Sequence, residues 1–358
     1  MLEGIGRPSL AVITRKQGGD GVAFAGLLLE RALSAITRAS LDILELAPAV
    51  TGHPSGVEQL RFALSLGLAQ LLDRGGWWMF NHVGIARAQN AVPRSLRRPY
   101  AVLLCGIEAW DPALTEDRKR TLRSATLRLA ISEYTASRVR ATHPDIGSIV
   151  ACPLALLPDV PVPTSLEQAM LDQIREQSVL VVGRMSSAER YKGHDELLEC
   201  WSTIVAQIPG AQLVIAGQGD DLTRLRQKAQ SLGVSGSVLF LGFVPEGTLA
   251  ALRERVALFA LPSRGEGFGL VYLEAMRAGL PCVGGTTDAA TDVIVNGATG
   301  LLVDPRDGSA LSEAIISLLR SPELRAGFGA AGAVLFEREF TFDRYCERLA
   351  PILSASFS

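Results

Sequence analysis

Residues 260–286 constrain the fold of this chain more tightly than any other stretch. They read Ala-Leu-Pro-Ser-Arg-Gly-Glu-Gly-Phe-Gly-Leu-Val-Tyr-Leu-Glu-Ala-Met-Arg-Ala-Gly-Leu-Pro-Cys-Val-Gly-Gly-Thr. The pattern is the end of an apolar strand (Val256–Leu261), a glycine-rich turn, a helix and a second short strand. Gly265, Gly267 and Gly269 let backbone approach a ligand closely. Phe268, Gly269 and Leu270 present N–H groups at a helix start, where the dipole favours an anion. Glu266 lies in the turn and Glu274 eight positions on, inside the helix. Backbone donors for a phosphate and two carboxylates for hydroxyl groups suit a phosphorylated sugar, or a nucleotide carrying one.

The same alternation runs along the whole chain. Apolar runs at Ser9–Thr14, Leu41–Leu46, Trp77–Asn81, Tyr100–Leu104, Leu127–Ile131 and Ser148–Ala151 read as strands. Helical spacing falls between them, as at Val22–Thr37 and Val57–Leu72. Pro153, Pro158, Pro161 and Pro163 then mark a linker. Beyond it, strands are expected at Val179–Val182, Ala211–Ala216, Ser237–Leu241, Val256–Leu261 and Leu301–Val303. The helices expected there include Asp221–Leu232, Thr248–Arg255, Gly308–Leu319 and a last one at Phe342–Leu353. Such alternation implies an α/β fold with parallel sheets and ligands at the strands' carboxyl ends. At 358 residues, two domains are expected. They are two facing Rossmann-like domains with a central cleft, residues 1–160 and 175–340.

Several function classes are excluded by what is missing. The net charge of −2 leaves no basic field for nucleic acid. The five cysteines are dispersed, with no zinc spacing, and read as buried small apolar residues in a reducing compartment. No leader-like segment and no membrane-spanning run is evident, so a cytoplasmic location is expected, with peripheral contact at the inner face of the membrane. Trp77 and Trp78, with Arg94, Arg97 and Arg98, are weighed for that contact against a core tryptophan and a solvated loop. No P-loop, H-E-x-x-H or G-x-S-x-G element is present. The early glycines Gly18, Gly19 and Gly21 lack dinucleotide-fingerprint spacing and read as a tight turn beside a ligand.

The chemistry therefore rests on a constellation. Arg184 follows a strand end and Lys192 opens a helix. One forks onto a diphosphate and the other acts as a point charge. Glu266 and Glu274 flank phosphate donors, which suits holders of hydroxyl groups better than a hydrolytic pair. His82, Cys105 and Glu108 lie at strand ends of the first half. His194, beside Lys192, reads as structural.

Taken in order, Gly183-Arg184 with Lys192-Gly193, Gly217-Gln218-Gly219, Gly242-Phe243-Val244 and Pro262-Ser263-x-x-Glu266-Gly267-Phe268-Gly269-Leu270-x-x-x-Glu274-Ala275 resemble glycosyltransferase family 4. These are retaining enzymes with the GT-B fold. The resemblance is strong over residues 178–340 and thinner before them. It implies that Arg184 and Lys192 bind a donor diphosphate and that Glu266 contacts the donor sugar. Gly267, Phe268, Gly269 and Leu270 would meet sugar or phosphate oxygens, and Glu274 the ribose. Gly183 and Gly217 would border the donor site. Phe243 and Val244 would lie near the base, and Gly18 and Gly19 near the phosphate from the other domain. The helix of residues 341–358 would pack back on the first domain.

Where many relatives carry a histidine, this chain has Cys105; either His82, the catalytic candidate of the first half, takes over part of that role, or the enzyme manages without it. The implied reaction is metal-free and cofactor-free hexosyl transfer, such as of mannose or glucose. The sugar would pass from a nucleotide-sugar donor to a saccharide or lipid-linked acceptor, in polysaccharide or glycolipid biosynthesis. A sugar-nucleotide epimerase and a non-catalytic nucleotide-sugar-binding protein are the alternatives.

Overall fold

The computed structural model describes residues 6–13, 21–38, 40–46, 54–72, 76–159 and 168–357. Gly18, Gly19, Pro161 and Pro163 lie outside the described residues. The chain divides into two compact units. One runs to Ala155 and takes in the helix from Phe342; the other is Leu156–Thr341.

The first unit is built on a parallel sheet of β1 (Pro8–Ile13), β2 (Asp42–Leu46), β3 (Trp77–Phe80), β4 (Tyr100–Leu104), β5 (Leu127–Ala130) and β6 (Val150–Ala151). Its strand order is β2-β1-β3-β4-β5-β6. Strands β3, β4 and β5 are buried along their length, as continuous apolar runs under helices must be. Helix starts follow from capping chemistry. Thr115 accepts from the Arg118 N–H and Ser132 from the Thr135 N–H, setting the starts of Glu116–Ser124 and Glu133–Thr142. The Phe342–Phe357 helix buries Tyr345, Leu349 and Leu353. It stacks Phe357 on Trp77 with ring centroids 4.0 Å apart.

That stack decides between the two readings weighed for Trp77 in favour of the core tryptophan. Trp77 and Trp78 are 2% and 3% exposed, and the Trp77 indole N–H donates to the Gly6 carbonyl. Both rings belong to the core, so neither anchors the protein at a membrane interface. Arg97 and Arg98 are likewise turned inward to the carbonyls of Val92, Asn90 and Gln70.

The second unit carries β7 (Ser178–Val182), β8 (Gln212–Ala216), β9 (Val238–Gly242), β10 (Leu258–Leu261), β11 (Cys282–Gly285) and β12 (Gly300–Val303). All are parallel, in the order β12-β11-β10-β7-β8-β9. The order reverses between β7 and β10, and a crevice opens beyond their carboxyl ends at such a switch point. Arg184 and the 262–269 turn leave the sheet there.

The second unit departs from the sequence-based reading at several elements. Strand β10 begins at Leu258, because Val256 still bonds back to the Leu252 carbonyl of the preceding helix. That helix is Glu246–Arg253 and starts after Pro245, whose fixed φ suits the residue ahead of a first turn. An unanticipated helix spans Pro322–Glu339. Its buried face is Gly329, Gly332 and Phe336, so it has no apolar stripe to read. A Cβ on Gly329 would lie 1.9 Å from the Gly279 carbonyl oxygen. The Ser321 cap and Pro322 at the first turn were the legible signals.

Candidate functional site

Two loops form the centre of the candidate site. The first, residues 183–193, leaves β7; the second, residues 262–269, leaves β10. Gly217 makes the first turn feasible. Its φ is +146°, and a Cβ there would lie 1.9 Å from the Gly183 carbonyl oxygen. Lys192 ends a short 3₁₀ segment, Ser187–Lys192, rather than opening the α-helix, which begins at His194. The reason is Gly193, whose left-handed backbone (φ +86°) breaks the segment and brings the chain against Pro262. A Cβ on Gly193 would approach the Pro262 carbonyl oxygen to 2.5 Å. The loops are also joined by the Arg264 N–H on the Tyr191 carbonyl at 2.9 Å.

An ion pair closes the junction. Lys192 Nζ donates to Glu266 Oε1 at 2.5 Å, with side chains 15% and 17% exposed. Burial disfavours the ammonium, but the Glu266 charge and hydrogen bond outweigh it, so Lys192 is held above its ordinary pKa. It stays charged at neutral pH. Arg184 is half exposed and pairs with Glu189 at 2.5 Å through one nitrogen of a guanidinium, a group whose fork suits a diphosphate.

Behind this loop lies a network absent from the sequence-based reading. Arg190 and Arg224 both donate to Asp221, and Arg224 and Lys228 to Asp195. Hydrogen bonding from Arg224 above all, then from Arg190, holds the Asp221 carboxyl far below the usual carboxylate range. Only the Asp221-x-x-Arg224 spacing hinted at it. His194 is 4% exposed with no hydrogen-bond partner at Nε2. Burial, reinforced by the Lys192 charge, pushes its pKa down to about 4, so the ring is neutral.

The second loop runs into the Leu270–Arg277 helix. Gly269 occupies its N-cap and has no side chain to satisfy the first turn's N–H groups. Their partial positive charge is thus left for an anion. Phe268 turns inward, 2% exposed, with its ring against Phe340. Only its backbone, like that of Gly267 and Leu270, is suited to meet a ligand. Glu266 is aligned through its main chain: its N–H donates to Asp288 Oδ2 at 3.1 Å, and its carbonyl accepts from the Ala289 N–H at 3.2 Å. Tyr272 donates from its hydroxyl to the Leu261 carbonyl at 2.5 Å and pins the helix to the end of β10.

Glu274 is no plain surface residue. It pairs with Arg253, itself only 3% exposed. Burial pushes the Glu274 carboxyl above its ordinary range, and the Arg253 guanidinium pulls it back only in part. Phe243 and Val244 part company. Phe243 is 60% exposed and free to stack on a planar ring, whereas Val244 is 6% exposed and belongs to the packing.

In the first unit, His82 follows β3 at that sheet's own reversal point, between β1 and β3. Its Nδ1 accepts from the Gly84 N–H at 2.9 Å and caps the Val83–Ala86 helical turn. Glu108 accepts from the Cys105 N–H at 2.8 Å, a local capping bond that occupies one of its oxygens. Among the described residues, no group of three or more His, Cys, Asp or Glu side chains is arranged to hold a metal ion.

The family model for glycosyl transferases, group 1, matches residues 172–334. A GDP-mannose-dependent monoacylated α-(1-6)-phosphatidylinositol monomannoside mannosyltransferase of Corynebacterium glutamicum is 38% identical over 171 residues, covering 46% of this chain and 44% of that protein. A GDP-mannose-dependent α-(1-6)-phosphatidylinositol monomannoside mannosyltransferase of Mycobacterium tuberculosis is 30% identical over 233 residues, covering 62% and 60%. The chain thus spans about half the length of these relatives. Among solved structures, sucrose-phosphate synthase from Thermosynechococcus elongatus gives a TM-score of 0.78 at 18% identity, covering 97% of this chain and 98% of that one. Anabaena HepE in complex with UDP gives 0.76 at 17% identity, covering 97% and 100%. Residues 172–334 therefore resemble the group 1 glycosyl transferases, and the chain carries the GT-B fold.

Proposed function

We propose that this protein is a retaining glycosyltransferase that moves a hexose from a nucleotide-diphosphate sugar to a lipid-linked or saccharide acceptor. The observation that carries the reading is the Lys192–Glu266 pair, set beside an uncapped helix N-terminus at the sheet's switch point. Lys192, Arg184 and the helix start neutralise charge on the departing diphosphate, and Glu266 holds the sugar's hydroxyl groups. Glu274 takes the ribose. The acceptor hydroxyl oxygen bonds to the anomeric carbon as the bond from that carbon to the diphosphate breaks. Its proton passes to a leaving phosphate oxygen on the same face. Cations and backbone dipoles supply the stabilisation, so no metal is required.

GDP-mannose is the favoured donor and a glycolipid the favoured acceptor, because the mannosyltransferase relatives carry that specificity in their names. The relatives' acceptor class favours work at the inner face of a membrane. No described helix is long and apolar enough to cross one.

The test is transfer of labelled mannose and glucose from GDP- and UDP-sugars to a bacterial glycolipid extract, with and without EDTA. Labelled lipid product, unchanged by EDTA, is expected. Turnover of donor alone with a changed sugar would mean an epimerase. Binding without turnover in any mixture would mean a non-catalytic protein.

A further inference from the structure

Glu266 has a second carboxylate behind it that none of the sequence motifs includes. Asp288 is fully buried, on the loop after β11. Its Oδ2 accepts from the Glu266 N–H at 3.1 Å and its Oδ1 from the Ala290 N–H at 3.0 Å. The Ala289 N–H returns a bond to the Glu266 carbonyl at 3.2 Å. The two loops are therefore clasped by reciprocal bonds through the backbone of Glu266. Ser263, at the start of the same turn, adds a side-chain hydrogen bond to the carboxyl.

An uncharged residue would hold a purely structural turn at lower desolvation cost, since a buried ionised carboxylate is expensive. Here the carboxylate does what an amide cannot: both oxygens accept from N–H groups at once. We infer that Asp288 is a positioning residue for donor binding, fixing Glu266 at the angle from which its side chain meets both Lys192 and the donor sugar. This rests on the donor-site reading above.

A pH dependence follows. The charged and titratable groups facing Asp288 are Glu266 across the clasp and the Tyr272 hydroxyl on the Leu270–Arg277 helix; Lys192 neutralises Glu266 from the 183–193 loop. Burial, aided by the Glu266 charge and opposed by the backbone N–H groups, raises the Asp288 pKa to about 6. A folded pKa above the unfolded value means protonation favours the fold, so stability is gained as pH falls and lost as it rises through 6. The clasp works in the opposite sense. Below pH 6 one oxygen becomes a hydroxyl and stops accepting, and the Glu266 loop loosens although the protein as a whole does not unfold.

The experiment is Asp288→Asn, followed by steady-state transfer across pH 5–8 and by the amide resonance of Glu266 in ¹⁵N-labelled protein. In the wild type, the donor KM should climb as pH falls below 6 while kcat holds, and the Glu266 amide should titrate with the same midpoint. Asp288→Asn should raise the donor KM about tenfold at pH 7.5, the effect of one lost hydrogen bond to a charged group. It should also flatten both pH profiles. Ser263→Ala, which keeps the carboxylate, should show a smaller KM change and retain the titration. If wild type and Asp288→Asn share the same KM and the same profile, or if the Glu266 amide does not titrate, the inference is overturned. If wild-type protein neither binds nor turns over any nucleotide sugar, the donor-site reading fails instead. A melting curve for each variant separates loss of fold from loss of position.

Discussion

Lys192 and Glu266 form the sharpest test of the site. Their side chains are 15% and 17% exposed, and the bond between them is 2.5 Å. At that burial, solvent screens the pair little, and a hydrogen bond between charged groups contributes about 1.5–3 kcal/mol. Lys192→Met deletes the cation and strands the Glu266 carboxylate, so a loss of about 3 kcal/mol is expected. Glu266→Gln keeps an oxygen that still accepts from Lys192 and should cost about 1 kcal/mol. The double variant has no stranded charge. It should therefore be more stable than the sum of the two singles predicts, by about 1.5–2 kcal/mol. Unfolding of all four proteins by urea, read by circular dichroism and by calorimetry, yields the coupling.

The same variants separate stability from binding. If Lys192 gives its charge to a donor phosphate, Lys192→Met should weaken GDP or UDP binding about a hundredfold, roughly 2.7 kcal/mol. Isothermal titration measures this directly. Glu266→Gln should weaken binding of the nucleotide sugar more than that of the bare nucleotide, since its partner is the sugar. Additive stabilities within about 0.5 kcal/mol, together with unchanged nucleotide affinity for Lys192→Met, would refute the account of this pair.

Two further outcomes follow from packing. Gly217→Ala places a methyl 1.9 Å from the Gly183 carbonyl oxygen at a backbone angle that alanine rarely adopts, so a loss above about 3 kcal/mol is expected in thermal denaturation, together with failure to bind nucleotide. Trp77→Ala removes a 2% exposed ring, its stack on Phe357 and a hydrogen bond to Gly6. It should destabilise the protein by about 3–5 kcal/mol in calorimetry, whereas an interfacial tryptophan would change melting little.

Residue type and spacing were enough to establish the repeating unit and the chemistry of its ends. Apolar runs at intervals that fit a helix between them admit a parallel sheet and little else, because a parallel strand requires a crossover. The Glu266-x₇-Glu274 element, with its glycines, was readable because hydrogen-bonding capacity and backbone freedom are properties of residue type. Tertiary structure decided what those residues touch. Nothing local in the chain pairs Lys192 with Glu266, 74 positions apart, or sets Arg253 behind Glu274. Nor does anything local aim Asp288 at the Glu266 amide, because the partner of a buried charge is chosen by which strands lie side by side. For the same reason Trp77 and Trp78 belong to the core, although an aromatic pair near arginines also suits a membrane surface on paper. The Pro322–Glu339 helix was invisible to periodicity, since glycine makes its contact, and a residue with no side chain leaves no hydrophobic pattern to read.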